Sequence, residues 1–297
     1  MGRGMSATSA IVVEGGAMRG VFSAGVLDVF HEQGFHPFDL AIGVSAGACN
    51  LASHLAGQHG RNRRSYFDLM TQREFLDLRR FFGRGSAVDL DWLWDTLAER
   101  EPLDVPRVIA HPTHFLIVAT SASTGEPVYL QPTLDTMFDL LKGSCALPLL
   151  YRREIHVEGQ RIVDGGVTDP IPVRQAYNLG ARRIVVVRSR PAEVVKSTSL
   201  GTRASALMLR PSQRQYRKAS DPPSNAAIVP RFLRSRDFVL MQPRLTIFPC
   251  KKHCLMVLHR QVESKGAVAL KPSQRMANRR LLVALLEAVR PHPQIKV

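Results

Sequence analysis

Residues 38–57 read FDLAIGVSAGACNLASHLAG, and the change of pattern inside this stretch decides the fold. Phe38–Val44 is a short, mostly apolar run without regular polar alternation, the pattern of a strand buried on both faces. Ala46–Leu55 then reads as a helix that ends near Gly57. Between them lies Gly43–Val44–Ser45–Ala46–Gly47, a G-x-S-x-G placed where a strand turns into a helix. Flanking glycines let such an elbow form without Cβ clashes, so the serine hydroxyl is pushed out at the carboxyl end of the strand. The helix that follows aims its first N–H groups and the positive end of its dipole at the same point. G-x-S-x-G also arises by chance in chains rich in small residues; the strand–helix context is what makes Ser45 a candidate nucleophile and the Ala46 N–H a candidate oxyanion donor.

Working outward, strand-like and helix-like segments alternate. Ala10–Glu14 is a β-branched run that stops at Gly15–Gly16. From Gly20, Val21, Phe22, Val26, Leu27, Val29 and Phe30 recur near helical spacing, with Gly34 as the expected C-terminal stop. Further on, Asp89–Arg100 reads as a helix with Trp92, Leu93 and Leu97 on one side. His114–Thr120 reads as an apolar strand, Thr133–Lys142 as a helix and Ile184–Arg188 as a strand. Glu154–Val157 and Arg161–Val163 read as a hairpin turning at Glu158–Gly159. Apolar strands alternating with helices predict an α/β fold whose largely parallel sheet is covered on both faces.

Composition bounds the alternatives. The 297 residues are 45% hydrophobic and 22% charged, values that exclude wholesale disorder and a membrane-embedded fold. No apolar run approaches the roughly 18–20 residues that span a bilayer. Met1–Ala10 lacks the apolar core and cleavage site of a signal peptide, so a cytoplasmic location is expected. Cys250 and Cys254, with His253 and His259 nearby, superficially suggest a metal cluster. Zinc sites need four ligands with tighter pairing, so reduced thiols, no metal and no cofactor are expected.

Charge is unevenly spread. Residues 1–189 hold 19 Lys+Arg against 20 Asp+Glu, whereas residues 190–297 hold 21 against 5. This break predicts one domain over 8–190 and a basic C-terminal region over 191–297, partly disordered or divergent, in which Arg244–Cys250 reads as a strand and Gln274–Val289 as a helix. Each Lys or Arg near an anionic leaflet contributes about 1 kcal/mol. The basic region lacks the clustered aromatics that stack nucleic-acid bases, so peripheral contact with an anionic membrane is favoured over nucleic acid.

A serine hydroxyl needs a base. On an α/β-hydrolase scaffold the order is Ser, then Asp or Glu, then His. The histidines after the best acidic candidate, His253, His259 and His292, lie in the basic region and end no clear strand. His111, His114 and His156 precede that acid, and all six read as structural or surface residues. The acid is Asp164, at the end of the short strand 161–163 and followed by Gly165–Gly166. Asp-Gly is ordinarily a turn signal. The glycine pair also permits another backbone to approach, and Thr168–Asp169–Pro170–Ile171–Pro172 opens a further helix near a strand end. A carboxylate beside Ser45 can take its proton directly, the more so where burial favours the protonated acid.

Gly15–Gly16–Ala17–Met18–Arg19–Gly20 forms the third element, a turn whose successive N–H groups make an anion-binding nest. A dinucleotide fingerprint would need Gly where Ala17 stands and an acid at the end of the second strand, but Asp39 lies at its start. A P-loop would need Gly-Lys-Ser/Thr. An oxyanion hole needs only N–H donors near the nucleophile, and parallel pairing of the first two strands brings this turn beside Ser45.

In this order the three elements resemble the patatin-like phospholipase family, which has a Gly-rich oxyanion loop, a G-x-S-x-G elbow and a D-G-A/G motif. EGGAMRGVFSAGVLDVF at 14–30, FDLAIGVSAGACNLASHLAGQHGR at 38–61 and SCALPLL at 144–150 are similar to a bacterial subgroup. The resemblance covers about residues 10–190. It implies a three-layer α/β/α sandwich with a mainly parallel central sheet, and lipid acyl-ester hydrolysis without a metal. It also implies Ser45 as nucleophile, Asp164 as general base, and Gly15, Gly16, Ala17 and Arg19 as the oxyanion loop. Gly20, Gly43, Gly47, Gly165 and Gly166 hold motif positions. Ala17 replaces a usual Gly, which restricts the backbone if that position needs a positive φ. Two functions follow: a serine acyl hydrolase of lipid degradation working through a Ser–Asp dyad, or a catalytically inactive, membrane-associated binding protein on the same fold.

Overall fold

The computed structural model describes residues 8–190 apart from 78, 81–84 and 149, together with the backbone of 238–241. The strand read at Arg244–Cys250, the helix read at Gln274–Val289 and the Cys250/Cys254 pair lie outside the described residues.

The β-branched runs become strands. They are β1 (Ser9–Val13), β2 (Leu40–Val44), β3 (His114–Ser121), β4 (Pro127–Leu130), β5 (Ile155–Val157), β6 (Gln160–Asp164), β7 (Arg183–Val187) and β8 (Phe238–Met241). The helices are α1 (Val21–Glu32), α2 (Ala46–Leu55), α3 (Arg61–Arg64), which continues as a π-helical turn over Ser65–Leu69, α4 (Leu90–Arg100), α5 (Val105–Ala110), α6 (Met137–Ser144) and α7 (Val173–Asn178). The strands form one sheet in which β8, β7, β1, β2 and β3 run parallel in that order. β4 and β6 pair antiparallel with β3, and β5 completes a hairpin with β6.

Alternation along the strands sorts side chains onto two faces. Ile11, Val13, Ala41, Phe115, Ile117, Val185 and Val187 meet Leu27 and Phe30 of α1, Leu51 and Leu55 of α2, Leu93 and Leu97 of α4, and Leu140 and Leu141 of α6. Ala10, Val12, Leu40, Ile42, Leu116, Ile184 and Val186 face the other way, against Ile171 and against Val173 and Ala176 of α7. The central strands are buried on both sides, and the fold is a three-layer α/β/α sandwich with a mainly parallel sheet.

Local signals set the connections. Gly34 takes φ 61° just beyond α1, and the Phe35 N–H reaches back to the Phe30 carbonyl at 2.8 Å, a left-handed stop. Asp89 caps α4 by accepting the Trp92 N–H at 3.0 Å. The helix read from Thr133 begins only at Met137. Thr133 and Thr136 bond one another's backbone N–H through their hydroxyls, at 2.9 and 3.2 Å, which holds the preceding residues in a turn. β4 is an additional strand that Pro127 and its short length conceal in the sequence.

Candidate active site

Immediately after β2, Ser45 has φ 53° and ψ −127°, a backbone conformation that non-glycine residues avoid unless the surroundings impose it. Those surroundings are tight. A Cβ on Gly43 would lie 2.5 Å from the Ala48 Cα and 2.7 Å from its nitrogen, and one on Gly47 would strike the Val13 and Glu14 carbonyls. The Ser45 N–H donates to the Ser144 hydroxyl at 2.8 Å, and that hydroxyl donates to the Val118 carbonyl at 2.6 Å. One buried hydroxyl at the end of α6 thus satisfies the strained residue and ties it to β3. The Ser45 carbonyl accepts from the Ala48 and Cys49 N–H groups, so α2 begins at once. As at any helix start, the N–H of Ala46 has no intrahelical acceptor.

The glycine turn after β1 packs directly on this elbow. A Cβ on Gly15 would meet the Val44 carbonyl oxygen at 2.8 Å and the Ser45 Cβ at 3.0 Å; one on Gly20 would meet the Ala46 Cβ at 2.9 Å. The end of β7 holds the turn from outside. The Ser189 N–H donates to Glu14 Oε2 at 2.7 Å, and the Ser189 hydroxyl donates to the Gly15 carbonyl at 2.8 Å. Ala17 is exposed and sits at φ 48°, so the position does demand the left-handed region, with an alanine in it. Met18 and Arg19 follow in a single tight turn, Ala17–Gly20, in which the Arg19 N–H donates to the Gly16 carbonyl at 3.0 Å.

Sheet register brings Asp164 to the same corner. Val118 of β3 has Val44 on one side and Tyr129 on the other; one residue further, Ala119 has Asp164 and Val128. β4 keeps its side, so β6 takes over the side that β2 vacates at Val44. Asp164 therefore stands one step beyond Val44, where the chain of β2 has turned out as Ser45. Its backbone is held by the Ala146 carbonyl, which accepts its N–H at 3.0 Å, and by the Thr120 hydroxyl, which donates to its carbonyl at 2.9 Å. Oδ1 accepts the Gly166 N–H at 2.7 Å, and a side chain on Gly165 would collide with the Val118 carbonyl. Ser45 and Asp164 are both buried, 7% and 3% exposed.

Cys145 marks the convergence of the two. Its thiol pKa is pushed well up by a hydrogen bond to Cys49, by burial, by the charge of Cys49 and by the Asp164 carboxylate, while a hydrogen bond with Ser45 acts the other way. One sulfur thus has Ser45 as a hydrogen-bond partner and feels the charge of Asp164.

Histidines gather elsewhere. His54 lies in the last turn of α2, nine residues after Ser45 and roughly 13 Å along the axis at the usual helical rise. There His36 Nδ1 lies 3.2 Å from His54 Nε2, and the His31 and His59 rings stack with centroids 5.6 Å apart. Burial, then the neighbouring His36, His31 and His111, push the His54 pKa down to about 3. Among the described residues, no group of three or more His, Cys, Asp or Glu could hold a metal ion, and no helix is long and apolar enough to cross a membrane.

Behind the elbow lies a polar network that no motif announces. Asn50 Nδ2 donates to the Gly20 carbonyl at 2.7 Å and to the Ser23 hydroxyl at 2.9 Å, while the Tyr66 hydroxyl donates to Asn50 Oδ1 at 3.2 Å. Asn62 Nδ2 donates to the Asn50 carbonyl at 3.1 Å, and Arg61 spans from the Ser53 hydroxyl to the Glu101 carbonyl. This network fixes the last residue of the glycine turn to α2. Its members are polar residues spread over α1, α2, α3 and the π-helical turn, and helical spacing alone gives them no distinguishing mark.

A model of the patatin-like phospholipase family matches residues 11–177. The uncharacterized protein YjjU of Escherichia coli strain K12 is 39% identical over 188 residues, covering 62% of this chain and 53% of YjjU. The chain thus spans about half the length of that relative. Among solved structures, VipD from Legionella pneumophila superposes with a TM-score of 0.47 at 12% identity, over 84% of this chain and 63% of VipD.

Proposed function

The chain belongs to the patatin-like phospholipase family, and from that premise we propose that it is a serine acyl hydrolase that cleaves lipid acyl esters with a Ser45–Asp164 dyad. The observation that carries the reading is the exchange of β2 for β6 beside β3, which sets Asp164 one register step past Val44. Asp164 takes the Ser45 proton as the hydroxyl attacks the acyl carbonyl. The N–H groups of Gly15, Gly16 and Ala17, with that of Ala46, stabilise the tetrahedral oxyanion, while the Arg19 N–H is given to the Gly16 carbonyl and shapes the turn instead. The protonated Asp164 donates to the leaving alcohol. Water activated by the same carboxylate then attacks the acyl-serine and releases the fatty acid.

The glycine contacts support this assignment, because Gly15 and Gly20 bring the turn within van der Waals contact of the elbow. The substrate is a lipid or phospholipid ester. The basic excess of residues 190–297 supports docking on an anionic membrane surface, through about 1 kcal/mol for each charge that reaches the leaflet. Labelling with a fluorophosphonate, followed by peptide mass analysis, tests the assignment. A covalent adduct on Ser45 within residues 20–61 is expected in the native chain and lost in Asp164→Asn. An unlabelled native chain, or labelling of Ser45 unchanged by Asp164→Asn, contradicts it.

A further inference from the structure

Two cysteines flank the proposed dyad, and hydrolysis by Ser45 and Asp164 requires neither. Cys49 follows Ser45 by four residues, one turn along α2 and on the same helical face. Cys145 caps α6 directly after Ser144. Their sulfurs are 3.6 Å apart, and both residues are half-buried, which leaves access for a reagent as small as hydrogen peroxide.

We propose that Cys49 and Cys145 form a thiol-oxidation site that switches the enzyme off when a hydroperoxide joins them as a disulfide; this rests on the reading of Ser45 and Asp164 as the dyad. The chemistry balances as follows. Cys49, as thiolate, attacks one peroxide oxygen, the O–O bond breaks, and the other oxygen leaves as water with the proton the thiol released. The Cys49 sulfenic acid that remains is attacked by the Cys145 sulfur, which gives up its proton, and the sulfenic hydroxyl leaves with that proton as a second water. Each sulfur loses one electron and the peroxide accepts both. The Cys49 contact and burial raise the Cys145 pKa, and a protonated thiol is the weaker nucleophile, so the step is written with Cys49 reacting first.

Inhibition follows from what surrounds Cys145. The preceding residue, Ser144, holds the Ser45 N–H, and the following residue, Ala146, accepts the Asp164 N–H. A disulfide brings its sulfurs to about 2 Å, so the pair must close by more than 1 Å. The Cys145 backbone moves with it, and both reacting groups lose their seats. Cys145 also gives up its contact with the Ser45 hydroxyl. A misplacement on this scale costs on the order of 100-fold in rate.

The test treats the full chain with hydrogen peroxide and follows two readouts. Tryptic mapping without reductant reports the bridge as peptide 20–61 joined to peptide 143–152. Hydrolysis of a p-nitrophenyl acyl ester reports the switch. The bridged peptide is expected to accumulate as hydrolysis falls at least tenfold, and dithiothreitol is expected to reverse both. Cys49→Ala and Cys49→Ser are expected to hydrolyse at the native rate and to resist the same dose. The proposal is overturned if the bridge does not form, if it forms while hydrolysis persists, or if folded Cys49 variants are inactivated as fast as the native chain. The bridge is read by mass alone, so a chain without esterase activity that still forms it overturns the hydrolase reading and not the pairing of the thiols.

Discussion

On the parallel side of the sheet Ser45 stands in a backbone conformation that its neighbours force on it, with φ 53° and glycines at 43 and 47 where no Cβ fits. On the antiparallel side Asp164 ends β6 with ordinary dihedrals, φ −48° and ψ 127°, and reaches the same corner through register with β3. One group is positioned by local strain that close packing sustains, the other by pairing and a short turn. The parallel side should therefore tolerate change least, and damage there should show first in folding. Changes on the antiparallel side should show more in rate than in stability.

The largest effect sharpens this contrast most. Gly43→Ala puts a methyl 2.5 Å from backbone that cannot yield, and overpacking of this kind costs about 3 kcal/mol or more. Chemical denaturation is expected to show that loss or an insoluble chain; a variant within about 1 kcal/mol of the native protein would break the argument from strain.

Acid sensitivity also belongs to the parallel side, through the far end of α2. His54 is buried against His36, His31 and His111, with its pKa lowered to about 3. The unfolded chain binds the proton near the ordinary value of about 6.5. The stabilisation is therefore complete above that value and is lost as pH falls from there toward 3, by about 2 kcal/mol at pH 5. His54→Met removes this component, and its unfolding free energy should fall less between pH 7.5 and 5. Equal slopes in the two proteins would mean that His54 is not buried neutral.

A smaller effect compares the two sides directly. Ser144→Ala leaves the Ser45 N–H and the Val118 carbonyl without their shared hydroxyl, and an unmade buried hydrogen bond costs about 1–3 kcal/mol. Thr120→Val removes the donor to the Asp164 carbonyl and the partner of the Thr168 hydroxyl, but that hydroxyl is half-buried and can turn to water, so the net cost is about 1 kcal/mol. Ser144→Ala is expected to lower Tm more, while both lower kcat with KM little changed. The reverse ranking in Tm would mean that the register side carries the greater constraint.

The legibility of the molecule follows the same division. The elbow at 38–57 and the glycine turn at 15–20 are readable because close backbone packing leaves a mark in composition: no Cβ fits at 15, 20, 43 or 47. Ala17 is the exception, an alanine at φ 48° where that mark is missing. Asp164 is readable as a strand end followed by glycines, but its neighbour is not, because the replacement of β2 by β6 is a property of pairing rather than of any segment. Ser144, Thr120 and the Asn50–Asn62–Arg61 network escape notice because a buried hydroxyl or amide looks in sequence like any polar residue. Cys49 and Cys145 are 96 residues apart, and nothing in either segment predicts that their sulfurs meet.

The central claim is the transfer of a proton between two groups that reach one corner by different routes. It is tested most directly by kcat/KM for a p-nitrophenyl acyl ester in Ser45→Ala and Asp164→Asn, each checked for native folding by circular dichroism. Loss of on the order of 1,000-fold or more in both is predicted, as for removal of a nucleophile or its base. A folded Ser45→Ala chain that keeps its hydrolytic rate, or an Asp164→Asn chain within tenfold of native, would contradict the account.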